Sequence, residues 1–323
     1  MAACEIVDLI GSTPLLDLTD LVEPGSARLY AKCEFMNPGL SLKDRIAIHI
    51  LDTAEAQGQL TKGDTIVCAS SGNTGCSFAM LGRIRGYRVT IVVPESCSQE
   101  KQIHIKSLGA KVIVADKDEY MSCGRDYARE NNFFDVDQYN NSRNPDTYYK
   151  TLGPEIWRDT DGQITHFVTT GSTFGCISGV GRFLKEQNTK IRITLAEPEC
   201  SNIYEHYYGK DVEKQDSKQS VKRTSSIEGS GKSSPTQCLD LSVIDEVRKV
   251  SDWDAVAMCH LVVKTKGLLV GGSSGLNLFA AKQVADSLGK ENIVVTILCD
   301  SGVKYLSKLY NPIFLAEHDL PSL

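Results

Sequence analysis

The stretch NPGLSLKDRIAIHI, residues 37–50, places a lysine at the start of a predicted helix. Asn-Pro-Gly is typical of a turn, and the apolar spacing that begins at Arg45 predicts a helix. Lys43 lies between them, at the helix end where the dipole disfavours a cation. An electropositive, partly buried position favours the neutral amine, which is a nucleophile toward carbonyl groups. Lys43 is therefore a candidate catalytic residue, and the alternative is a solvated lysine beside Asp44.

Length and charge exclude several classes of protein. The 323 residues suit two domains or one large α/β unit, with 41% hydrophobic and 24% charged residues. The net charge is −6 and no long basic run occurs, so a nucleic-acid partner is not expected. No apolar run has the length of a membrane span, and the N-terminus lacks the features of a signal peptide. We expect no membrane partner and a cytoplasmic location.

The eleven cysteines are scattered singly along the chain, and no CxxC pair occurs. A zinc knuckle or a dithiol redox site is therefore not expected, and no metal ligands are predicted. Several cysteines lie inside apolar runs, as in TIVCAS and VVTILCD. This placement predicts small buried hydrophobic residues in a reducing compartment.

Apolar strand-like runs alternate with segments of helical length. Strands that are apolar throughout, with helices between them, predict a parallel sheet that is covered on both faces. Ligands bind such sheets at the carboxyl ends of the strands. The predicted strands are RLYAKCEF, DTIVCAS, RVTIVVP, KVIVAD, HFVTT, IRITLAEP, GLLVGG and NIVVTILC.

Three turns rich in glycine and hydroxyl residues join predicted strands to predicted helices, at residues 69–81, 169–184 and 270–281. Each can present free backbone N–H groups at a helix N-terminus, where carboxylates and phosphates bind. A fourth turn contains Ser301, for which helix capping is the simpler role. The polar stretch 208–235 is predicted to be a mobile surface loop.

Taken together, these motifs resemble the fold type II pyridoxal phosphate enzymes, and most closely the cysteine synthase and cystathionine β-synthase family. The resemblance runs in order through LIGSTPLLDL, NPGLSLKDR, SSGNTG, DQYNNSRNP, GPEIW, IEGSG, GLLVGGSSG and DSGVKYLSK. It implies two three-layer α/β/α domains with mostly parallel sheets and the cofactor, pyridoxal 5′-phosphate, in the cleft between them. The implied small mobile domain is 44–150, and the large domain is 1–43 plus 151–323. A homodimer is also expected.

The resemblance assigns roles residue by residue. Lys43 corresponds to the Schiff-base lysine and Ser301 to the residue that faces the pyridine nitrogen. Asn73 corresponds to the asparagine that binds the ring 3′-oxygen. The residues that correspond to the phosphate loop are Ser172, Thr173, Phe174, Gly175 and Cys176. Those that correspond to the substrate-binding positions are Ser70, Ser71, Asn73, Thr74, Gln138 and Gly229.

The implied reaction is β-replacement on serine or an O-activated serine such as O-acetylserine. Sulfide or another thiol adds to an aminoacrylate to make cysteine or a related amino acid. The alternatives are serine plus homocysteine to cystathionine, and synthesis of the cyanoalanine or diaminopropionate type. An alternative of another class is a non-catalytic relative that binds or senses.

Two departures from the family concern the phosphate loop and a later loop. Phe174 replaces a glycine and Cys176 a hydroxyl residue in the phosphate loop. Lys232 lies near a position that is often aromatic or small. It could recognise an acidic leaving group or second substrate, but we expect it to belong to the surface loop.

Overall fold

The chain forms two sheets, each covered by helices on both faces. A computed structural model describes residues 4–70, 72–209 and 225–322. The strands are β1 Leu15–Asp17, β2 Arg28–Cys33, β3 Thr65–Ala69, β4 Arg88–Pro94, β5 Lys111–Ala115, β6 Phe134–Asp135, β7 His166–Thr170, β8 Arg192–Pro198, β9 Glu246–Val250 and β10 Ile293–Leu298.

The helices alternate with these strands along most of the chain. None in the described ranges is long and apolar enough to cross a bilayer. They are α1 Lys43–Ala56, α2 Asn73–Arg85, α3 Gln99–Ser107, α4 Tyr120–Glu130, α5 Arg143–Lys150, α6 Leu152–Asp159, α7 Gly175–Gln187, α8 Ile203–Tyr208, α9 Asp252–Lys266, α10 Gly272–Asp286 and α11 Pro312–Glu317.

The larger sheet has the strand order β1-β2-β10-β7-β8-β9, and only the β1–β2 pair is antiparallel. Its central strand β10, IVVTIL, is buried at every position. Val294 and Leu298 belong to the apolar cluster that includes residues of α9 and α10, whereas Val295 and Ile297 join α6 and α7. Because neighbouring side chains of a strand point to opposite faces, this alternation produces three layers.

The smaller sheet has the order β5-β4-β3-β6 and is parallel throughout. All four strands come from residues 65–135. Ile66 and Ile91 face a core shared with α1, α2 and α3, and Val67 and Val92 face α4. The prediction of two three-layer α/β/α units with mostly parallel sheets is confirmed. The proposed domain boundaries at 44 and 150 stay a prediction.

One predicted strand is wrong. GLLVGG forms only an isolated bridge between Val270 and Ser301. Gly271 packs closely against Asp300, and a Cβ atom there would lie 1.9 Å from the Oδ1 atom of Asp300. The next residue already begins α10, so the segment is too short for a strand. The charged strand β9, EVRKV, and the short strands β1 and β6 lack the continuous apolar run that identifies the others.

Candidate active site

A cavity lies in the cleft between the part of the chain that carries the smaller sheet and the part that carries the larger one. The part of the chain that carries the smaller sheet contributes Asn73, Thr74, Lys101, Gln138 and Tyr139. The rest of the lining is Leu42, Lys43, Thr169, Thr170, Gly171, Ser172, Thr173, Phe174, Cys176, Glu228, Gly229, Ser273 and Cys299.

Lys43 is the first residue of α1, as the sequence predicted, and it lines this cavity. No side chain of the described residues forms a hydrogen bond or ion pair with its Nζ atom. The neighbouring Asp44 is fully buried and accepts hydrogen bonds from the Gly39 N–H and the Ser77 hydroxyl. Burial raises the pKa of Asp44, although these hydrogen bonds oppose the shift. Lys43 is therefore not neutralised by its neighbour in sequence.

Arg45, two residues further on, anchors the start of α1 below the cavity. Its guanidinium lies 2.7 Å from carboxylate oxygens of both Glu34 and Glu155 and is 2% exposed. Burial alone would raise the pKa of Glu155, but the hydrogen bonds and charges of Arg45 and Lys32 outweigh it and hold the pKa at about 2. The hydroxyl of Thr13 donates to Glu34 at 2.6 Å. The LIGSTP segment thus completes a buried ionic network that supports the lysine.

The turn before α7 presents free donors to the cavity. The backbone N–H groups of residues 172–174 have no acceptor among the described residues. Thr170 Oγ1 is also buried without a partner. A Cβ atom on Gly175 would lie 2.1 Å from Asn144 Oδ1, so only glycine fits where the helix begins. Free N–H groups at the N-terminus of a 13-residue helix fit a phosphate group.

Phe174 keeps the turn closed although it replaces a glycine of the family. Its φ is +64°, in the left-handed region that costs an L-residue about 1–2 kcal/mol. The side chain is 2% exposed and packs into the apolar cluster beside α7. A Cβ atom on Gly171 would meet its ring at 2.4 Å. Burial of the aromatic ring offsets the backbone strain.

Asn73, the first residue of α2, is held by two charged groups. Its Nδ2 donates to Asp300 Oδ2 at 2.7 Å, and its Oδ1 accepts from Lys304 Nζ at 2.9 Å. Lys304 is 3% exposed, and its burial lowers the pKa of the ammonium. The carboxylate and the ammonium fix the orientation of the amide, and one N–H of Asn73 remains for a ligand in the cavity.

The wall beside Asn73 contains Thr74 and Gln138, two of the predicted carboxylate-binding residues. Thr74 Oγ1 donates to Gln138 Oε1 at 2.7 Å, and Gln138 Nε2 donates to the carbonyl of Ala69. Ser70 does not line the cavity: its hydroxyl oxygen accepts from the N–H groups of Gly72 and Gly75 and stabilises the start of α2. Ser71 lies outside the described residues.

The structure does not bring Ser301 to the cavity. Its hydroxyl accepts from the N–H of Val303 and caps the 3₁₀ helix Gly302–Tyr305. Ser273, the second residue of α10, lines the cavity instead. The sequence contains a signal for it, because VGGSSG is predicted to be an anion-binding turn. VGGSSG and the turn that contains Ser301 have similar local patterns, so sequence alone does not show which serine faces Lys43.

Lys232 is not part of a detached surface loop, contrary to the expectation from sequence. Gly231 N–H donates to the carbonyl of Gly171 at 2.8 Å, and Lys232 is bonded through its backbone to Ser201. Residues 210–224 of the predicted loop lie outside the described residues. Lys101, Tyr139 and Glu228 of the cavity wall were missed, because no local pattern shows that these separate segments converge.

The cysteines behave as buried apolar residues, as predicted for most of them. Eight of the eleven are buried and unpaired, and two of these, Cys176 and Cys299, line the cavity. Burial raises the pKa of Cys299 to about 12, so it is a thiol at neutral pH. No group of three or more potential metal ligands occurs in the described ranges.

Comparison with known proteins identifies the cofactor for which these donors are suited. A family profile described as pyridoxal-phosphate dependent enzyme matches residues 6–300. Cysteine synthase of Dictyostelium discoideum is 35% identical over 97% of this chain and 86% of its own length. Cystathionine beta-synthase of Apis mellifera is 36% identical over 94% of this chain and 60% of its own length.

A solved structure agrees with these relatives. The crystal structure of O-ureido-L-serine synthase superposes with a TM-score of 0.88 at 28% identity, covering 97% of this chain and 96% of the other. A phosphate cradle, an unpaired lysine and a fixed asparagine amide in one cavity are the groups that pyridoxal phosphate requires. The chain belongs to the pyridoxal-phosphate dependent enzymes of fold type II, in the family of cysteine synthase and cystathionine β-synthase, and it catalyses β-replacement with that cofactor.

Proposed function

We propose that the protein replaces the β-substituent of serine or an O-activated serine, such as O-acetylserine, with sulfide or another thiol. The observation that carries the proposal is the unpaired Nζ of Lys43 in the same cavity as the free N–H groups of residues 172–174 and the Thr74–Gln138 wall. Lys43 Nζ can react with a carbonyl group, the N–H groups of residues 172–174 can bind a phosphate, and Thr74 and Gln138 can bind a carboxylate.

Pyridoxal phosphate, when bound, supplies an electron sink that makes the Cα proton of an amino acid acidic. The N–H groups of residues 172–174 would hold its phosphate, and Lys43 Nζ would bond to its carbonyl carbon. The free N–H of Asn73 would reach its ring oxygen. We assign the ring nitrogen to Ser273 in place of Ser301, because only Ser273 lines the cavity.

The side chains of the cavity can perform the proton transfer that the reaction needs. Once the substrate amine has replaced it, Lys43 Nζ is free to take the Cα proton and later to return it. Thr74 and Gln138 orient the substrate by binding its carboxylate. A serine hydroxyl cannot fully protonate a pyridine nitrogen, and the resulting neutral ring favours loss of the β-substituent. Ser273 therefore favours elimination and replacement over other reactions at Cα.

The small segment 44–150 is proposed to close on the substrate, because Thr74 and Gln138 lie on it while the phosphate turn does not. Closure would exclude water from the reacting carbon. Contacts between Lys101 and Glu228 and between Asn73 and Asp300 already join the two parts of the chain. A homodimer stays a prediction from the resemblance, and a cytoplasmic location stays a prediction from the sequence.

The test is product formation by the purified protein with pyridoxal phosphate, O-acetylserine and sulfide. Lys43→Ala should abolish cysteine formation, whereas Lys190→Ala, an exposed lysine after α7, should not. Borohydride reduction followed by mass spectrometry should place the cofactor on the peptide that contains Lys43. Trapping on another lysine, or turnover by Lys43→Ala at a comparable rate, would overturn the assignment.

The same assay decides between donors and nucleophiles. Serine with homocysteine tests cystathionine formation, cyanide tests cyanoalanine formation, and amine nucleophiles test synthesis of the diaminopropionate type. The similarity to O-ureido-L-serine synthase adds hydroxyurea as a nucleophile, since its oxygen bonded to Cβ would give O-ureidoserine. Absence of product from every pair would contradict the proposed function.

A further inference from the structure

Glu228 and Gly229 line the cavity, and backbone hydrogen bonds hold Gly231 and Lys232, which follow them. Gly231 N–H donates to the Gly171 carbonyl, beside the phosphate turn. Lys232 N–H donates to Ser201 Oγ at 2.9 Å, and the Lys232 carbonyl accepts from Ser201 Oγ at 2.8 Å and from Asn202 N–H at 3.0 Å. The backbone of Lys232 is therefore a fixed base from which its side chain extends.

The ammonium of Lys232 lies against the cavity wall. Its Nζ atom is 4.3 Å from the ring centroid of Tyr139, which lines the cavity and is 8% exposed. The hydroxyl of Tyr139 is hydrogen-bonded to that of Tyr120, which holds the ring. No carboxylate among the described residues pairs with Lys232. A cation over an aromatic ring near solvent gains only about 0.5–1 kcal/mol, so its N–H donors remain available to a stronger partner.

The carboxylate of Glu228 in the cavity wall is already paired. Glu228 is bound on one side by Lys101 at 2.8 Å and on the other by Lys308 at 2.5 Å. Glu228 is therefore compensated by these two lysines and is not the partner of Lys232. The cation of Lys232 is left to attract an anion that enters the cavity.

We propose that Lys232 makes this site select a substrate that carries an anionic group in addition to its amino-acid carboxylate. The inference rests on the proposed function. The anion can be the leaving group of the donor, as in a phosphate ester of serine, or a carboxylate on the thiol. In the first case the Cβ–O bond breaks, phosphate leaves with the electron pair, and the Cβ–S bond forms as the thiol loses its proton. The replacement involves no net oxidation or reduction.

The experiment separates the two sources with matched pairs of substrates. Donors are O-phosphoserine and O-acetylserine, and thiols are mercaptoacetate and 2-mercaptoethanol, which differ mainly in charge. Values of kcat/KM are measured for wild type, Lys232→Ala, Lys232→Arg and Lys232→Glu. Lys106→Ala, an exposed lysine on α3, serves as the control.

We expect Lys232→Ala to lower kcat/KM for the anionic member of one pair roughly tenfold, equivalent to about 1.4 kcal/mol. The neutral member should change less than about twofold by the same arithmetic. Lys232→Glu should enlarge the loss, and Lys232→Arg should restore most of the preference. The affected pair identifies whether the anion is on the donor or on the thiol.

A binding measurement provides a readout without turnover. Titration calorimetry of the cofactor-loaded Lys43→Ala protein with O-phosphoserine and O-acetylserine, with and without Lys232→Ala, gives the ratio of Kd values directly. Equal effects of the Lys232 substitutions on charged and neutral partners in both pairs would overturn the inference while leaving the proposed function intact. Absence of product from all four combinations in wild type would overturn this inference, and absence of product from O-acetylserine with sulfide as well would overturn the proposed function.

Discussion

Arg45→Met tests whether the buried ionic network supports the start of α1. Arg45 donates four hydrogen bonds to carboxylate oxygens of Glu34 and Glu155, and Glu34 is fully buried. Glu155 would retain Lys32, but Glu34 would lose its counter-charge in an apolar environment. Removal of one partner of a buried ion pair costs about 3–5 kcal/mol. At roughly 2 °C per kcal/mol, the melting midpoint at pH 7 should fall by about 6–10 °C.

The loss of stability in Arg45→Met should depend on pH in a definite direction. The pairing with Arg45 lowers the pKa of Glu34 and Glu155, in the second case from 4.5 to about 2. A group whose pKa is lowered by folding contributes stability above its unfolded pKa and loses it as the pH falls through the folded value. The stability difference between wild type and Arg45→Met should therefore be largest above pH 4.5 and narrow toward pH 2.

The assay is thermal unfolding followed by circular dichroism at several pH values. Arg129→Met is the control, because Arg129 is exposed and its ion pair with Asp126 should contribute little. Adding Glu34→Gln to Arg45→Met should recover part of the loss, since it removes the unpaired buried charge. A midpoint for Arg45→Met no lower than that of Arg129→Met, or a difference that does not narrow in acid, would refute the reasoning.

Three further predictions concern the cavity. Ser273→Ala should shift the absorbance maximum of the bound cofactor and slow the elimination half-reaction several-fold, whereas Ser301→Ala should do neither. A spectral shift with Ser301→Ala and none with Ser273→Ala would restore Ser301 as the residue that faces the ring nitrogen. Lys304→Met should leave the amide of Asn73 held by Asp300 alone and lower kcat about tenfold, the equivalent of one hydrogen bond of roughly 1.4 kcal/mol. Unchanged kcat and cofactor spectrum would show that Asn73 needs no orientation by Lys304. Thr74→Ala should raise KM for the amino acid more than for the thiol and should increase the amount of pyruvate formed per product. An unchanged pyruvate ratio would mean that Thr74 binds the substrate but does not help to exclude water from the reacting carbon.

Local pattern is sufficient for much of the fold and for choosing candidate residues at the centre of the site. Apolar runs such as VVTILC are predicted to be strands buried on both faces, and they are. Lys43 becomes a candidate because a turn, a cation and an apolar helical period follow one another within fourteen residues, and the resemblance then implies its role. The glycine turn at 169–184 can be identified because a helix that begins after glycines and hydroxyl residues leaves its N–H groups free. These features depend only on residues that are neighbours in the chain.

Tertiary structure alone decides which of several equivalent side chains faces the ligand. Ser70, Ser273 and Ser301 all occur in serine or glycine turns beside strand ends, yet only Ser273 lines the cavity. Ser70 and Ser301 use their hydroxyl oxygens to accept hydrogen bonds from the N–H groups of their own helices. The choice depends on the direction in which each helix leaves its sheet, and that direction is set by packing against distant elements.

Local sequence also does not show which side chains lie around the mouth of the cavity. Lys101, Tyr139, Glu228 and Lys232 come from four separate segments, and none of them belongs to a pattern with a meaning of its own. These side chains lie together only because the fold places Lys101 of α3 against Glu228 and the Lys232 ammonium over the ring of Tyr139. The ordered motifs imply the cofactor and the role of Lys43 through their resemblance to a family, because each motif is a short run of neighbouring residues. The potential that selects the substrate is a sum over charges that are distant in the chain, and only the folded structure brings them together.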